Sequence, residues 1–266
     1  MTDELVFLKL GGSLITEKSR PYTPRHDVIE RLAREIERAR AERPDLRLLL
    51  GHGSGSFGHQ AASPYGTQRG VRTDEEWRGF TEVAAAAARL NRIVTDALQR
   101  VGIPVLSLQP SASAWCEDGT LIDLATHPIR QALARGLVPL VYGDVALDDV
   151  RGGTIVSTED LFVYLAAKLR PRRILLAGNA PGVLDGEGQV VPRITPDTVS
   201  ELDAALRGSH ATDVTGGMAT KVAHMVALVE KLEGLTVHIL TGMEPGLVQQ
   251  VLEDPGFVAG TSISAS

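Results

Sequence analysis

Short apolar runs alternate with longer stretches of helical periodicity, and this rhythm constrains the fold more than any other feature of the chain. The runs "LVFLKL", "LRLLL", "IPVLSL", "LVPLVYG" and "RRILLAG" have strand length. Between them lie amphipathic segments, so the order β, α, β, α predicts an α/β fold: a three-layer αβα sandwich with an open, mainly parallel sheet covered by helices on both faces. Thr23 and Pro24 read as the N-cap and first residue of a helix carrying Val28, Ile29, Leu32, Ile36 and Ala39 on one face, with Pro44 as its stop. Thr73 and Glu76 have capping-box spacing ahead of the stripe Phe80, Val83, Ala84, Ala87, Leu90, Val94 and Leu98, which predicts a long helix. "VALDDVRGGTIV" reads as a hairpin turning through Asp149 to Gly153, and Ser157 caps the next helix, "TEDLFVYLAAKL". "DGEGQ" is a turn. A further helix is expected before "DVTGGMATK", and the strand "VHILTG" follows it.

No repeat, low-complexity tract or flexible linker interrupts the 266 residues, so residues 1–266 are expected to form a single domain. The change of pattern near Leu176 suggests two lobes, 1–176 and 177–266. No stretch approaches the roughly 20 apolar residues of a membrane span, and "MTDELVFLKL" has neither a basic leader nor a cleavage site. A cytoplasmic protein without a membrane partner is expected. The one cysteine, Cys116, fits a reducing compartment and a packing role. A net charge of −6 and a pI near 5.7 argue against nucleic acid as a partner, because phosphate backbones need a concentrated basic surface. Any anionic substrate must therefore be captured locally.

Three glycine-rich junctions supply candidate places for that capture: "KLGGSL" at Lys9 to Leu14, "GHGSGSFGH" at Gly51 to His59, and "TGGMATK" at Thr215 to Lys221. Glycine lets a backbone approach an anion, and the free amides at a helix start donate to phosphate oxygens. A single such junction reads equally well as a tight turn, whereas three, two with lysines beside them, point to a polyphosphate site. The chain has no G-x-x-x-x-G-K-[ST], and "GSGSFG" is followed by what reads as another loop rather than the helix of a dinucleotide fingerprint. Phosphoryl transfer suits such a site, because its catalysis rests on positioning, fixed cations and amide donors. Lys9, Lys18 and Lys221 are the candidate cations.

Taken in order, "KLGGSLITEK", "GHGSGSFGH", "GDV" and "TGGMATK" resemble the amino acid kinase superfamily. The pairing of "ITEK" with "HGSGSFGH" resembles its isopentenyl phosphate kinases, over Val6 to about Ile263. The resemblance implies the amino acid kinase fold, an acceptor lobe and a nucleotide lobe, and ATP-dependent phosphorylation of isopentenyl phosphate to isopentenyl diphosphate. It implies that Lys9, Gly11, Gly12 and Ser13 line the nucleotide phosphates and that Lys18 stabilises the group in transfer. Gly55 would lie at the donor phosphates, and Ser54 and His59 would face the acceptor phosphate. Asp144 would orient the lysines, Gly216, Gly217 and Lys221 would complete the nucleotide site, and magnesium would arrive with ATP rather than on protein ligands. A homodimer is implied as well. His52 is expected to be a structural partner of the loop. An apolar wall for the prenyl tail is expected from Trp77, Phe80, Val83, Ala84, Ile155 and Val156.

Two places depart from the family pattern. "GNAPGVL" puts Asn179 and Pro181 where carboxylates are usual, which leaves nucleotide preference open, and Thr158 in "STED" stands where glycine is common and would crowd the acceptor. Two other functions stay open at this point. One is a kinase for another small phosphate or phosphonate, such as fosfomycin, for which a small, polar, cationic pocket is expected. The other is a non-catalytic nucleotide-binding sensor.

Overall fold

The computed structural model describes residues 4–62, 66–199 and 215–265; the side chains of His59, Ala62 and residues 215–217 lie outside that description. Among the described residues the main sheet has eight strands. Its centre is β1 (Glu4–Leu10), which pairs in parallel with β2 (Leu46–His52) on one side and with β9 (Arg173–Gly178) on the other. Beyond β2 lie β6 (Val138–Tyr142) and β3 (Val105–Ser107). Beyond β9 lie β11 (Thr236–Thr241), β12 (Thr261–Ile263) and β10 (Arg193–Ile194), and only the β11–β12 pair is antiparallel. A second, four-stranded sheet holds β5 (Thr120–Asp123), β4 (Trp115–Glu117) and the hairpin of β7 (Asp144–Asp148) with β8 (Gly152–Val156).

The central strands are apolar throughout because both of their faces are covered. Val6, Leu8 and Leu10 point into one buried cluster with Leu48 and Leu50, under α2 (His26–Glu42) and α4 (Asp74–Arg100). Phe7 and Leu49 point the other way, beneath α5 (His127–Ala134) and α6 (Thr158–Leu169), where Phe7 meets Phe162 at 5.1 Å between ring centroids. This is the expected three-layer arrangement. Cys116 is fully buried in the second cluster, and burial pushes its thiol up to about 11, which suits packing rather than reactivity.

Several expectations needed correction. The first long helix begins at His26 rather than Pro24, because Thr16 and Pro24 form an antiparallel bridge and the Thr23 hydroxyl donates to the Pro21 carbonyl instead of capping. The stretch after "GSGS" is not a loop: Gly55–Ala62 is a helix, α3. "TGGMATK" opens α7 (Thr215–Lys231), and the helix expected before it lies outside the described residues. A short helix, α8 (Leu247–Glu253), follows β11 and packs against α2.

The long helix starts where its capping signal predicts. The Thr73 hydroxyl accepts from the Glu76 amide at 3.3 Å, and the Glu76 carboxylate accepts from the Thr73 amide at 2.8 Å. Thr73→Ala is expected to destabilise the protein by about 1 kcal/mol in urea unfolding, whereas Thr23→Ala, which removes no cap, should stay within roughly 0.5 kcal/mol. Equal effects would contradict the observed helix starts.

Candidate active site

The carboxyl ends of the parallel strands are closed by glycines. The Gly11 amide donates to the Ala177 carbonyl at the end of β9, Gly53 to Leu10, Gly143 to His52, and Gly242 to Gly178, at 2.7 to 3.1 Å. Each strand end is thus tied to its neighbour, and the row lies along the edge where open α/β sheets bind ligands. Two of the predicted junctions meet backbone to backbone. A Cβ on Gly53 would lie 2.7 Å from the Gly12 nitrogen, and one on Gly55, whose φ is +49°, would lie 2.5 Å from the Gly12 carbonyl oxygen and collide with the Thr16 hydroxyl. Only glycine fits these positions. Thr16 locks the contact: its hydroxyl donates to the Gly12 carbonyl at 2.7 Å and accepts from the Ser56 amide at 2.9 Å. α1 (Gly12–Ile15) and α3 therefore begin side by side, with their free amides at one place.

Lys9 lies on the Phe7 face of β1, turned toward the start of α6. A capping box fixes that start, with Ser157 and Asp160 bonded reciprocally, and so places Glu159 in the first turn. The Glu159 carboxylate forms an ion pair with the Lys9 ammonium, and the Lys221 ammonium, from α7, lies 3.4 Å from the same oxygen. Burial would raise the Glu159 carboxyl, but Lys9 and Lys221 outweigh it and hold the group down at about 2. Burial lowers the Lys9 pKa, an effect that the adjacent carboxylate opposes.

A cavity opens beside α3. It has a volume of about 560 Å³ and is lined by polar Ser54, Gln68, Arg69 and Asp144, by Gly58 and Gly143, and by apolar Val83, Ala87 and Ile155. That volume lies within the range of small-molecule pockets. His52 lies beneath, fully buried, stacked on Tyr142 and hydrogen-bonded to Asn91 and the Gly53 carbonyl; burial drives its pKa down to about 4. It is a structural partner, as expected.

The structure brings together Lys9, Gly11, Gly12, Gly55 and Lys221, and separately Ser54, Asp144, Val83 and Ile155, while Asp144, Thr158 and Phe80 make contacts other than those expected. Asp144 does not orient the lysines: it is buried in the cavity wall, accepts from the Ser111 and Val145 amides, and its pKa is raised by burial, while Glu159 holds both lysines. Thr158 is turned into the protein interior. Its side chain is 1% exposed, its methyl abuts Gly51 and its hydroxyl donates to the His52 carbonyl at 2.6 Å, so it spaces β2 from α6. Phe80 packs on Gly153 with Trp77 edge-on at 5.3 Å, behind the wall formed by Val83 and Ala87. Lys18 lies on an exposed turn after α1.

The Asn179 side chain donates to the Ser13 carbonyl at 3.0 Å, which ties the "GNAPGVL" loop to α1. Gly216 and Gly217 fall in the first turn of α7. His59 lies in α3, one turn after Gly55, and its side chain is outside the described atoms. Sequence reasoning missed Glu159 and Thr16. Glu159 had a legible signal, an acid directly inside a capped helix start, but "STED" draws attention to its Ser157 cap and to Thr158 first.

An open parallel sheet whose carboxyl edge carries converging glycine backbones and two lysines on one carboxylate is the arrangement of a phosphoryl-transfer enzyme. The chain belongs to the amino acid kinase family, whose model matches residues 4–241, and to its isopentenyl phosphate kinase branch. It is 39% identical over 250 residues to the isopentenyl phosphate kinase of Haloferax volcanii, covering 92% of this chain and 98% of that protein. It is 37% identical over 227 residues to the isopentenyl phosphate kinase of Methanocaldococcus jannaschii, covering 82% of this chain and 85% of that one. A crystal structure of an isopentenyl phosphate kinase superposes with a TM-score of 0.81 at 31% identity, covering 98% of this chain and 100% of that one.

The buried groups set the acid response. His52 and His238 both have folded pKa values near 4 through burial, against an ordinary 6.5, so the unfolded chain binds protons between those values that the folded one does not. Their stabilising effect is complete above pH 6.5 and falls as the pH drops toward 4. Glu159 adds stability above its ordinary 4.5 that is lost as the pH falls toward about 2. Urea midpoints measured from pH 7.5 to 3 should decline in that order, and a flat midpoint down to pH 4.5 would contradict the two buried rings.

Proposed function

We infer that the protein transfers the γ-phosphoryl group of ATP to isopentenyl phosphate, giving isopentenyl diphosphate and ADP. The observation that carries the reading is the juxtaposition of the Lys9–Glu159–Lys221 cluster and the glycine contacts with a cavity that is polar at Ser54 and Gly58 and apolar at Val83, Ala87 and Ile155. The polar lining suits a phosphate and the apolar lining a five-carbon tail. The glycine edge suits a triphosphate, since the close packing of Gly12, Gly53 and Gly55 brings the starts of α1 and α3 together, and amides at helix starts donate to phosphate oxygens.

In the reaction an oxygen of the acceptor phosphate bonds to the γ-phosphorus while the bond to the β,γ-bridging oxygen breaks, and its electron pair leaves with ADP. Magnesium brought by ATP neutralises charge on the phosphates. The residues of this chain supply the rest. Lys9 and Lys221 face the charge that shifts to the leaving group, Glu159 fixes their separation, and the amides of α1 and α3 hold the phosphates in line. Lys18 reaches the group in transfer from its turn. His59 donates to the acceptor phosphate, which is already nucleophilic and needs no strong base.

In the same reading residues 1–176 carry the acceptor side and 177–266 the nucleotide side. The enzyme works as a cytoplasmic homodimer. No helix among the described residues is long and apolar enough to cross a membrane. The apolar wall gives the fosfomycin alternative no support, and the intact lysine cluster gives none to a sensor without turnover.

ADP release with ATP and magnesium should accelerate with isopentenyl phosphate and not with fosfomycin; no acceleration with isopentenyl, dimethylallyl or geranyl phosphate would overturn the reading. Glu159→Gln should lower kcat at least tenfold, a loss of about 1.4 kcal/mol of transition-state stabilisation, and His59→Ala should do the same. Unchanged turnover in either variant would remove that residue from the mechanism.

A further inference from the structure

Lys18 is exposed, on an excursion of the chain between Thr16 and Pro24. A flexible lysine on a free turn would be a poor instrument for phosphoryl transfer, which depends on pre-positioned charge. The excursion is closed at its base. Thr16 and Pro24 form a bridge, the Glu17 amide donates to the Thr23 carbonyl at 2.9 Å, and the Arg25 amide donates to the Ile15 carbonyl at 2.8 Å.

Its tip is held by one residue. Tyr22 has φ +51°, a left-handed conformation that a bulky side chain rarely adopts without outside support. Its ring meets Phe57 of α3 edge-on, with centroids 5.6 Å apart and planes at 84°, and the Arg89 guanidinium of α4 lies 5.6 Å from the ring centroid. Phe57 is buried at 3% exposure, whereas Tyr22 is 44% exposed. The ring is therefore an outer clasp on a fixed inner partner, and the edge-on and cation–π contacts supply the attraction.

We propose that Tyr22 is a positioning residue that clasps the Lys18 turn onto α3, the helix that begins at Gly55, so that Lys18 and the acceptor loop are held as one unit. The base of the turn is fastened to the same helix by Thr16, which accepts from the Ser56 amide. With Tyr22 at the tip, the turn is tied at both ends to the element that carries Ser54, Gly58 and His59. The proposal rests on the phosphoryl-transfer role given to Lys18 only for its kinetic consequence; the clasp itself is a matter of packing.

Trypsin reads the clasp directly. Arg20 is followed by Pro21 and resists cleavage, so the bond after Lys18 is the one cut in this turn. In the full-length protein, at temperatures well below unfolding, Tyr22→Ala should raise the rate of that cut at least tenfold, Arg89→Ala should raise it by a smaller factor, and Tyr22→Phe should leave it within twofold. With ATP, magnesium and isopentenyl phosphate, Tyr22→Ala should lower kcat at least tenfold with KM for ATP within twofold. Tyr22→Phe should restore kcat. In a Lys18→Met background the same Tyr22→Ala change should have no further effect on kcat.

An unchanged cut in Tyr22→Ala would overturn the clasp, and an equal kcat loss with or without Lys18 would overturn its action through Lys18. If the wild-type protein fails to phosphorylate isopentenyl phosphate, the functional reading falls while the cleavage rates still decide the clasp.

Discussion

Two ammonium groups drawn to one edge of a sheet repel each other, and Lys9 is also buried, which by itself would favour losing its charge. Glu159 meets both problems with one carboxylate. It contacts Lys9 from the centre of the sheet and Lys221 from a helix more than two hundred residues later in the chain. The carboxylate is held ionised by the two cations despite its burial. Its position depends on a local device, the Ser157–Asp160 capping box, which fixes the first turn of α6. A cap worth little in stability thus sets the geometry of the most highly charged place in the structure.

Around that cluster the backbone does what side chains usually do. The glycines at the ends of β1 and β2 touch each other across a gap that admits no Cβ, and Thr16 bonds to both sides of it. The consequence is a phosphate-sized polar edge with no side chain in the way. Beside it the β7–β8 hairpin and α4 close a cavity from Val83, Ala87 and Ile155. Charge and apolar wall sit next to each other because the hairpin leaves the end of β6 at Gly143 and folds over α4.

Much of this was legible in the order of residues. Strand-length runs, two capping boxes and the hairpin are local signals, and each appears where the pattern puts it. The errors share a cause: tertiary contact overrode local preference. Thr23 looks like a cap, but the bridge between Thr16 and Pro24 moves the helix start to His26. "GSFGHQAA" looks like a loop for its glycines, yet contact with Thr16 and burial of Phe57 and Ala61 hold it helical. Asp144 and Thr158 were placed at the site by motif position. The structure gives Asp144 to the cavity wall and Thr158 to a buried spacer between β2 and α6.

The sequence by itself determined the layered α/β architecture, the three glycine junctions and the lysines beside them, because periodicity, capping and glycine content act over a few residues. Only the tertiary structure decided which carboxylate meets the lysines, which apolar residues face the cavity rather than the core, and what holds the Lys18 turn. Those choices join β1 to α6 and α7, α4 to the hairpin, and Tyr22 to Phe57. They depend on how elements far apart in the chain come into contact, and no local pattern of residue types encodes that distance.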